Sequence, residues 1–354
     1  MSFVRRVIAG LVVSAMVAAC GGGTGASPGC GGAGPASAAC SIVPAASPSS
    51  GRTALKVGLG YYPSVQFAQF YYAYRQGYYR DAGLDVTFQN GRDDELTTLI
   101  GQGAVDIGIS DGTSVIPAAS QGIPIKYAAT IYGQFPSVVV TKTTSGISKA
   151  ADLKGHKFGI PGKYGSSWVM LQALLSSAGL TPDDLIITLY PDYGQAVALS
   201  QGQVDAATGF ANNEPVQLKL QGIDTTVLHV DQIVPLPGPG LVVGTATLAA
   251  KHDALKAFVA ATLRAMTEIK ADPQKGVDAS IAAVQDLGTN PTLQRAILDA
   301  TIAIWSSPYT DAHGLGAIDT AAWAKSVAFM DSMPDGAVPS PLPAEQLVTT
   351  ELLP

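Results

Sequence analysis

The sequence predicts an α/β protein with two lobes, in which short strands alternate with helices around mostly parallel sheets. Short β-rich runs recur between residues 54 and 131, and helix-length segments separate them. The same alternation begins again at residue 157, and a short sequence repeat links the two halves. Beyond Leu241, apolar residues recur every three or four positions, which is typical of packed helices. The folded region of about 300 residues is long enough for two full cores.

The first lobe is predicted from four strand-like runs rich in β-branched and aromatic residues: Ala54 to Leu59, Asp85 to Gln89, Val105 to Ser110 and Ile125 to Ile131. Each is followed by a segment long enough for a helix, which brings the next strand in parallel to the last. The first such segment carries aromatic residues mainly at helical spacing, which we interpret as one buried helix face: Phe67, Phe70, Tyr71, Tyr74 and Tyr78.

A second α/β lobe is predicted from three further strand-like runs and one helical stretch: Lys157 to Ile160, Leu185 to Tyr190, Val204 to Thr208, and Ser166 to Ala178. Two short motifs of the first lobe recur here in the same order. Ala-Gly-Leu at 82–84 returns at 178–180, and Gln-Gly-Ala-Val-Asp at 102–106 returns as Gln-Gly-Gln-Val-Asp at 201–205. In each copy the glycine can end a helix in the left-handed conformation just before a strand.

Four helices are predicted in the C-terminal part of the chain and should pack on the first lobe: Leu248 to Lys270, Pro273 to Val284, Pro291 to Ile304 and Asp319 to Met330. The chain would then pass between the lobes twice, near Thr141 and near Pro235 to Gly240. Two such passages form a hinge under a cleft that can close on a ligand. The predicted boundaries are 54–140 for the first part of lobe 1, 141–236 for lobe 2, and 237–354 for the return to lobe 1 and the C-terminal helices.

The N-terminal segment has the pattern of a cleavable export signal, with Arg5 and Arg6 before an apolar run. At residues 17–21 the sequence Val-Ala-Ala-Cys-Gly resembles a lipobox, in which Cys20 receives lipid and becomes the mature N-terminus; an ordinary secretory signal is the alternative. Residues 1–19 are therefore predicted as a lipoprotein signal peptide. Residues 20–53 are almost wholly Gly, Ala, Ser and Pro, which predicts a flexible tether. The sequence explains neither Cys30 nor Cys40.

Composition excludes several classes of function. A net charge of −6 without a basic cluster argues against nucleic-acid binding, which depends on neutralising phosphates. The folded region contains no cysteine, and the four histidines are scattered without the spacing of metal ligands. Motifs of nucleophilic hydrolases, zinc proteases and phosphate-binding loops are absent from residues 54–354. The sequence therefore predicts no metal, no cofactor and no catalytic residue.

The candidate ligand-binding residues follow the predicted strands, because α/β folds bind ligands at the carboxyl ends of their strands. They combine aromatic rings, amides, a hydroxyl and two acids: Tyr61, Tyr62, Asp111, Tyr132, Phe135, Tyr164, Ser166, Asn212, Asn213 and Glu214. Cations are scarce there, with Lys163 the main one, whereas a sulfonate, nitrate or phosphate would ordinarily need arginine or several aimed N–H donors. We therefore expect a neutral, flat heterocycle that forms hydrogen bonds.

Structural roles remain open for some of these residues. Asn212, Asn213 and Glu214 stand where a helix begins, and Pro215 fits its first turn, so the three can also cap that helix. Capping and ligand binding can coexist. Tyr61 and Tyr62 could likewise have a purely structural role.

Three stretches carry a resemblance to a known group of proteins: GYYPSVQFAQFYYAYRQGYYRDAGLDVTF, DLKGHKFGIPG and GQVDAATGFANNEPVQL. They resemble the thiamine-pyrimidine-precursor, sulfonate, taurine and nitrate group of periplasmic binding proteins, over roughly Leu55 to Ile304. Within that group, the YxPSVQFA opening, GIPGKYGSSW and GFANNEP are most similar to the riboflavin-binding lipoproteins of ABC importers.

The resemblance implies the two-lobed type II periplasmic binding fold and import without catalysis, with the permease and ATPase on separate chains. It implies a lipid-anchored protein on the extracytoplasmic face of the membrane that carries riboflavin as its ligand. The flat ring would stack on Tyr61 or Tyr62, and its edge would meet Glu214 and Asn212 or Asn213.

Three alternatives remain open. One is uptake of an aminopyrimidine precursor of thiamine. Another is a pyrimidine-synthase-like enzyme of the same fold, although that branch carries a cysteine-rich motif that the folded region lacks. The third is a sensory or adhesive surface lipoprotein that uses the same cleft.

Overall fold

A computed structural model describes residues 40–41, 51–231, 233–333 and 338–354. The predicted signal segment, Cys20, Cys30 and most of the predicted tether lie outside the described residues. Within the tether, Cys40 and Ser41 form a short strand, and at the tether's end Thr53 already belongs to the next strand.

The strands are β1 (Cys40–Ser41), β2 (Thr53–Gly60), β3 (Leu84–Gly91), β4 (Ile107–Ser110), β5 (Ile125–Thr130), β6 (Ser137–Lys142), β7 (Lys157–Ile160), β8 (Ile186–Leu189), β9 (Ala206–Phe210), β10 (Thr225–His229) and β11 (Gly240–Gly244). The α-helices are α1 (Ala68–Arg75), α2 (Tyr78–Asp81), α3 (Asp93–Gly101), α4 (Gly112–Ser120), α5 (Gly165–Ser176), α6 (Gln195–Ser200), α7 (Glu214–Leu220), α8 (Thr245–Ala271), α9 (Pro273–Ala283), α10 (Pro291–Trp305), α11 (Pro308–His313), α12 (Thr320–Asp331) and α13 (Ala344–Leu347). Short 3₁₀ helices lie at Val65–Phe67, Thr143–Ser145, Ala150–Leu153, Pro182–Asp184 and Gln285–Thr289.

The strands form two sheets. Sheet 1 has the order β1-β3-β2-β4-β11-β5, and sheet 2 has the order β10-β6-β9-β7-β8. In sheet 1, β2 is parallel to β3 and β4, and in sheet 2, β7 is parallel to β8 and β9. We call the two bodies built on these sheets lobe 1 and lobe 2.

The sheets are mixed rather than mostly parallel as predicted. Strand β11 is antiparallel to β4 and β5, and β6 is antiparallel to β9 and β10. Strands β6 and β11 each come directly after the chain has passed from one sheet to the other, so they enter the new sheet from the opposite end. These two strands and β10 were not among the predicted strands; no helix lies between β5 and β6, so β6 is not part of a strand–helix alternation.

The two passages between the sheets run side by side. The chain leaves sheet 1 after Thr130 and enters sheet 2 at Ser137; it returns between β10 and β11, which covers the predicted passage near residues 235–240. Thr141 lies inside β6, so the first passage comes a few residues before the predicted position. The backbone N–H of Tyr132 in the first passage donates a hydrogen bond of 2.8 Å to the carbonyl of Pro239 in the second.

The predicted repeat is visible as matching hydrogen bonds in the two lobes. In lobe 1 the carboxylate of Asp106 accepts from the backbone N–H of Lys56 at 2.9 Å, and in lobe 2 that of Asp205 accepts from Lys157 at 3.0 Å. Each aspartate also donates its own backbone N–H to the carbonyl of the same lysine, at 2.9 Å in both lobes. These contacts tie the strand that follows the repeated motif to the strand that contains the lysine, which is β2 in lobe 1 and β7 in lobe 2.

The four C-terminal helices predicted from periodicity correspond to α8, α9, α10 and α12. The largest buried cluster combines sheet 1 with α1, α8, α9 and α10, and includes Phe70, Phe258, Leu298 and Trp305. Helices α8 to α10 therefore share a core with sheet 1, whereas Trp323 of α12 belongs to a second cluster shared with lobe 2.

No helix in the described part of the chain is long and apolar enough to cross a membrane.

Candidate ligand-binding cleft

A cleft opens at the carboxyl ends of strands from both sheets. Its walls come from the ends of β2, β4, β7 and β9 and from the two passages between the sheets, and it encloses about 1000 Å³, including space open to solvent. Strand ends meet here because parallel strands within each lobe point the same way.

Six of the ten predicted residues line this cleft, and they come from both lobes: Tyr61, Tyr132, Tyr164, Ser166, Asn213 and Glu214. Tyr61 follows β2 in lobe 1, and Tyr132 lies in the first passage. Tyr164 and Ser166 stand at the start of α5, while Asn213 and Glu214 stand at the start of α7.

The other four predicted residues are not part of the cleft lining, and two of them have clear structural roles. The side chain of Asp111 caps α4, accepting from the Thr113 hydroxyl at 2.6 Å and from the Ser114 backbone N–H at 3.1 Å. Burial raises the pKa of Asp111, and only 1% of its surface is exposed. Phe135 is 4% exposed and belongs to the hydrophobic core. Both were predicted as ligand contacts because they follow strands, but their side chains turn into the protein.

Asn212 and Tyr62 lie close behind the cleft lining. The amide of Asn212 donates to Gln66 Oε1 at 3.1 Å and to Thr301 Oγ1 at 2.8 Å, which ties the end of β9 to lobe 1. Tyr132, which lines the cleft, is 4% exposed, and burial raises the pKa of its hydroxyl. Asn212 therefore positions the wall instead of forming it. Tyr62 packs its ring against two tyrosines of the wall.

Three tyrosines meet across the cleft. The ring centroids of Tyr61 and Tyr193 are 5.1 Å apart with the planes at 84°, and those of Tyr62 and Tyr193 are 5.5 Å apart at 81°. Tyr61 and Tyr62 belong to lobe 1, while Tyr193 follows β8 in lobe 2. Edge-to-face pairs of this kind are favourable for aromatic rings. We call Tyr61, Tyr62 and Tyr193 the tyrosine cluster.

Two members of the tyrosine cluster have unusual backbone conformations. Tyr61 has φ of 72° and Tyr193 has φ of 59°, and they are the non-glycine residues with positive φ in the described part of the chain. This region is unfavourable for bulky side chains, and residues held in it tend to occur at functional sites. The backbone N–H of Tyr61 donates to Gly91 O at 2.9 Å, and Asn90 Nδ2 donates to its carbonyl at 3.1 Å, so both of its backbone polar groups are held.

Glu214 is a buried acid at the wall of the cleft. Its Oε2 accepts from the backbone N–H of Phe210 at 2.6 Å, and its Oε1 accepts from Asn213 Nδ2 at 3.4 Å. Burial raises the pKa of Glu214 to about 7, even though the backbone hydrogen bonds from Phe210 and from its own residue act in the opposite direction. A Cβ at Gly209 would lie 2.9 Å from that of Glu214, so the strand end must approach it closely.

Further lining residues were missed by the strand-end prediction: Gly60, Gln66, Phe67, Asp93, Tyr193 and Gln195. Tyr193 and Gln195 come shortly after the predicted strand at 185–190, so the same rule could have included them. Phe67 is one of the residues interpreted as a buried helix face, Gln66 directly precedes it, and no local signal marks either residue as part of a site. A Cβ at Gly60 would run into the carboxylate of Asp93, which explains why glycine ends β2.

The cleft has little positive charge. Among the described residues that line it, none is lysine or arginine. Nearby cations lie over aromatic rings, with the Arg92 guanidinium 4.3 Å from the ring centre of Tyr164 and Lys163 Nζ 5.4 Å from that of Trp168. Within the described residues, no group of His, Cys, Asp and Glu side chains could hold a metal ion. The arrangement is suited to binding a flat, uncharged molecule by stacking and hydrogen bonds.

Comparison with known proteins finds one matching family and several similar sequences. Residues 64–276, more than half of the chain, match the family described as NMT1/THI5 like. The riboflavin-binding protein RibY of Chloroflexus aurantiacus is 29% identical over 99% of this chain and 98% of its own. The 4-amino-5-hydroxymethyl-2-methylpyrimidine phosphate synthase of Schizosaccharomyces pombe is 26% identical over 57% of this chain and 61% of its own.

Solved structures identify the fold. The periplasmic aliphatic sulphonate-binding protein SsuA of Escherichia coli matches with a TM-score of 0.67 and 18% identity, covering 84% of this chain and 97% of its own. The alkanesulfonate-binding SsuA of Xanthomonas axonopodis pv. citri matches with a TM-score of 0.66 and 16% identity, covering 85% of this chain and 100% of its own. The predicted two-lobed periplasmic binding protein fold is thereby confirmed.

Proposed function

Because this chain belongs to the NMT1/THI5-like family, and because its cleft joins aromatic rings to a hydrogen-bonding edge, we propose that it is the riboflavin-binding component of an ABC importer. The observation that carries the proposal is the wall formed by Tyr61, Tyr193, Asn213 and Glu214, in a cleft whose described lining residues include no lysine or arginine. The similarity to RibY over nearly the full length of both chains supports the choice of ligand. A sulfonate ligand, as in the SsuA proteins, would ordinarily be held by cations or several aimed donors.

The contacts of the proposed complex follow from the groups on the wall. The flat ring stacks on Tyr61, and its imide N–H donates to the carboxylate of Glu214. Gln217 Nε2 already donates to Asn213 Oδ1 at 2.8 Å, which orients the Asn213 amide. One hydrogen of Asn213 Nδ2 is directed to Glu214 Oε1 at 3.4 Å, and the other remains to donate to a ring carbonyl. The imide edge of the ring presents a carbonyl, an N–H and a second carbonyl. Glu214 would accept from the N–H, and Asn213 would donate to one of the two carbonyls.

Titration of riboflavin tests the proposal. Stacking on tyrosine should quench flavin fluorescence in the wild type. Replacing Glu214 by alanine should weaken binding by about 5- to 150-fold, because the ligand N–H loses its acceptor in a buried place, at a cost of about 1–3 kcal/mol. Glu345→Gln, an exposed change on α13, is the matched control and should bind like the wild type.

Two results would contradict parts of the proposal. Tight binding of an aminopyrimidine without riboflavin binding would favour the second candidate, uptake of a thiamine precursor, which the synthase-named relatives support. Equal riboflavin affinity in the wild type and Glu214→Ala would support riboflavin as the ligand and show that Glu214 does not contact it.

We propose binding without turnover. Residues 54–354 contain no cysteine, and the similarity to the synthase of Schizosaccharomyces pombe covers 61% of that protein, whereas RibY is matched over 98%. Incubation with an aminopyrimidine or with riboflavin, followed by mass analysis, distinguishes the two functions. A changed mass of either ligand would establish an enzyme.

The proposal places the protein on the extracytoplasmic face of the membrane, lipid-anchored through Cys20 and serving a permease and an ATPase on separate chains. Cys20→Ala should release it from membranes with ligand binding intact. Retention on membranes after a high-salt wash would rule out this anchor. Neighbouring genes for a permease and an ATPase would separate import from a sensory or adhesive role.

A further inference from the structure

One buried polar atom on the cleft wall has no partner. Within the described part of the chain, buried side-chain nitrogens and oxygens without a hydrogen bond belong to ten residues. Among these, Gln195 alone is a lining residue of the cleft, and its unpaired atom is Oε1. Gln195 is 2% exposed. Leaving such an oxygen unpaired is unfavourable, which makes it a place where a bound molecule supplies the missing donor.

The orientation of the Gln195 amide is fixed by its other end. Its Nε2 donates to the backbone carbonyl of Thr208 at 3.2 Å, in a buried position. A carbonyl can only accept, so a flipped amide would place two oxygens against each other. The amide therefore presents its oxygen, an acceptor, and not its nitrogen as the atom still to be satisfied.

Gln195 stands beside other polar groups of lobe 2. It is the first residue of α6, and a Cβ at Gly159 of β7 would lie 3.1 Å from its Cβ. The loop after β7 leads into α5, whose first turn supplies the hydroxyls of Ser166 and Ser167 to the cleft. The N-cap residue of α5, Tyr164, makes no side-chain cap bond, so backbone donors of the first turn add to these hydroxyls.

We propose that Gln195 is a specificity-determining residue that accepts a hydrogen bond from a hydroxyl of the ligand's polyhydroxylated side chain, while the ring lies against Tyr61 and Glu214. This inference rests on the proposed function and extends it from the ring to the chain attached to the ring. A hydroxyl both donates and accepts, so a polyol matches a wall that offers the Gln195 acceptor next to serine hydroxyls and backbone N–H groups. Glu214 recognises the ring and Gln195 the side chain, which makes the two contributions separable.

The test compares riboflavin with lumiflavin, which has the same tricyclic ring and a methyl group in place of the ribityl chain. Both are titrated against the wild type, Gln195→Met and Gln172→Met. The methionine keeps the volume of glutamine and removes the acceptor. Gln172 also has a buried amide oxygen without a partner but lies outside the cleft, so it controls for loss of such a group elsewhere.

The wild type should prefer riboflavin to lumiflavin. Gln195→Met should weaken riboflavin binding by about 5- to 150-fold and leave lumiflavin binding unchanged, while Gln172→Met should change neither. Retained lumiflavin binding also shows that the variant has folded. Equal loss of both ligands, or no loss of riboflavin, in Gln195→Met would overturn the assignment of Gln195 and leave the proposed function standing. A wild type that binds neither flavin would overturn the proposed function, and the assignment with it.

Discussion

At the scale of single residues, the cleft contains two residues with an unfavourable backbone conformation and one buried acid. Tyr61 and Tyr193 have left-handed backbones, and Glu214 is a carboxyl surrounded by protein. Each of these costs stability in the free protein, by about 1–3 kcal/mol for a strained backbone. Such costs are tolerated where the surrounding structure fixes the residue, and here the strained residues face each other across the cleft.

Two substitutions distinguish the contribution of the Tyr193 ring to ligand binding from that of its backbone conformation. Asparagine tolerates positive φ better than most residues, so Tyr193→Asn removes the ring without adding strain. Tyr193→Phe keeps the ring. We expect Tyr193→Asn to weaken riboflavin binding by about 2- to 10-fold, the value of one aromatic contact, and Tyr193→Phe to bind like the wild type. Fluorescence titration measures both, and equal weakening in the two variants would assign the effect to the hydroxyl instead.

Glu214 should make stability depend on pH. Its pKa is raised by burial from 4.5 to about 7, so the folded state holds the proton more tightly than the unfolded state. The favourable contribution is complete below about pH 4.5 and is lost as the pH rises through about 7. Relative to Glu214→Gln, the free energy of unfolding of the wild type should fall over this window by about 3 kcal/mol. Denaturant titrations along the pH series measure this difference.

The control for this experiment is Glu345→Gln, which should follow the wild-type pH profile because its side chain is exposed. A difference in the free energy of unfolding between the wild type and Glu214→Gln that stays constant from about pH 5 to 8 would show that the pKa of Glu214 is not raised by folding.

Riboflavin binding should show the opposite dependence on pH, because the carboxylate that accepts the imide N–H is the ionised form of Glu214. Riboflavin affinity should therefore fall as the pH drops below about 7.

At the scale of helices and strands, aromatic packing joins α8 to the helices that follow β2. The ring of Phe258 on α8 is stacked on Tyr79 of α2 with centroids 4.9 Å apart, and on Phe70 of α1 at 6.2 Å. All three are buried. Since Gln66 and Phe67 of the cleft immediately precede α1, this packing also holds one wall of the site.

Replacing Phe258 by alanine should therefore be severely destabilising. We expect a loss of about 3–5 kcal/mol in the free energy of unfolding, because a buried ring is removed and a cavity remains. Leu220→Ala on α7, where the leucine is 51% exposed, is the control and should change stability by no more than about 0.5 kcal/mol. Urea denaturation measures the free energy of unfolding of both variants. A loss in Phe258→Ala as small as that in Leu220→Ala would show that the contacts of α8 do not stabilise lobe 1.

At the scale of the whole molecule, the two passages between the sheets form a paired connection. The hydrogen bond from Tyr132 to Pro239 holds them side by side, so a small rotation there can move one lobe against the other. The cleft lies directly at this connection, since Tyr132 and Pro239 are among its lining residues. The rings of Tyr193 of lobe 2 and Tyr61 of lobe 1 are already 5.1 Å apart, so the lobes touch here, and rotation at the connection would separate them when no ligand is bound.

Ligand should therefore make the molecule more compact. We expect the radius of gyration from small-angle X-ray scattering to decrease when saturating riboflavin is added, because closure brings the lobes together. Glu214→Ala at a concentration that does not saturate it should change less. An identical scattering profile with and without saturating riboflavin would show that the cleft is rigid.

Local sequence was enough to determine the α/β class, the repeated lobes and the C-terminal helices. Periodicity and turn signals act over a few residues, and Asp106 and Asp205 repeat the same hydrogen bonds because the same short motif precedes them. The rule that ligands bind at strand ends also located Tyr61 and Glu214 on the cleft wall.

Tertiary structure alone decided which strand-end residues face the cleft. Asp111 and Phe135 follow strands just as Tyr61 does, yet one caps a helix and the other joins the core. The contact between Tyr61 and Tyr193 joins residues far apart in sequence. The unpaired oxygen of Gln195 is recognisable only from the hydrogen bond that its amide nitrogen donates to the carbonyl of Thr208. The direction of a side chain and the partners left to it depend on how the two sheets pack, which no local pattern specifies.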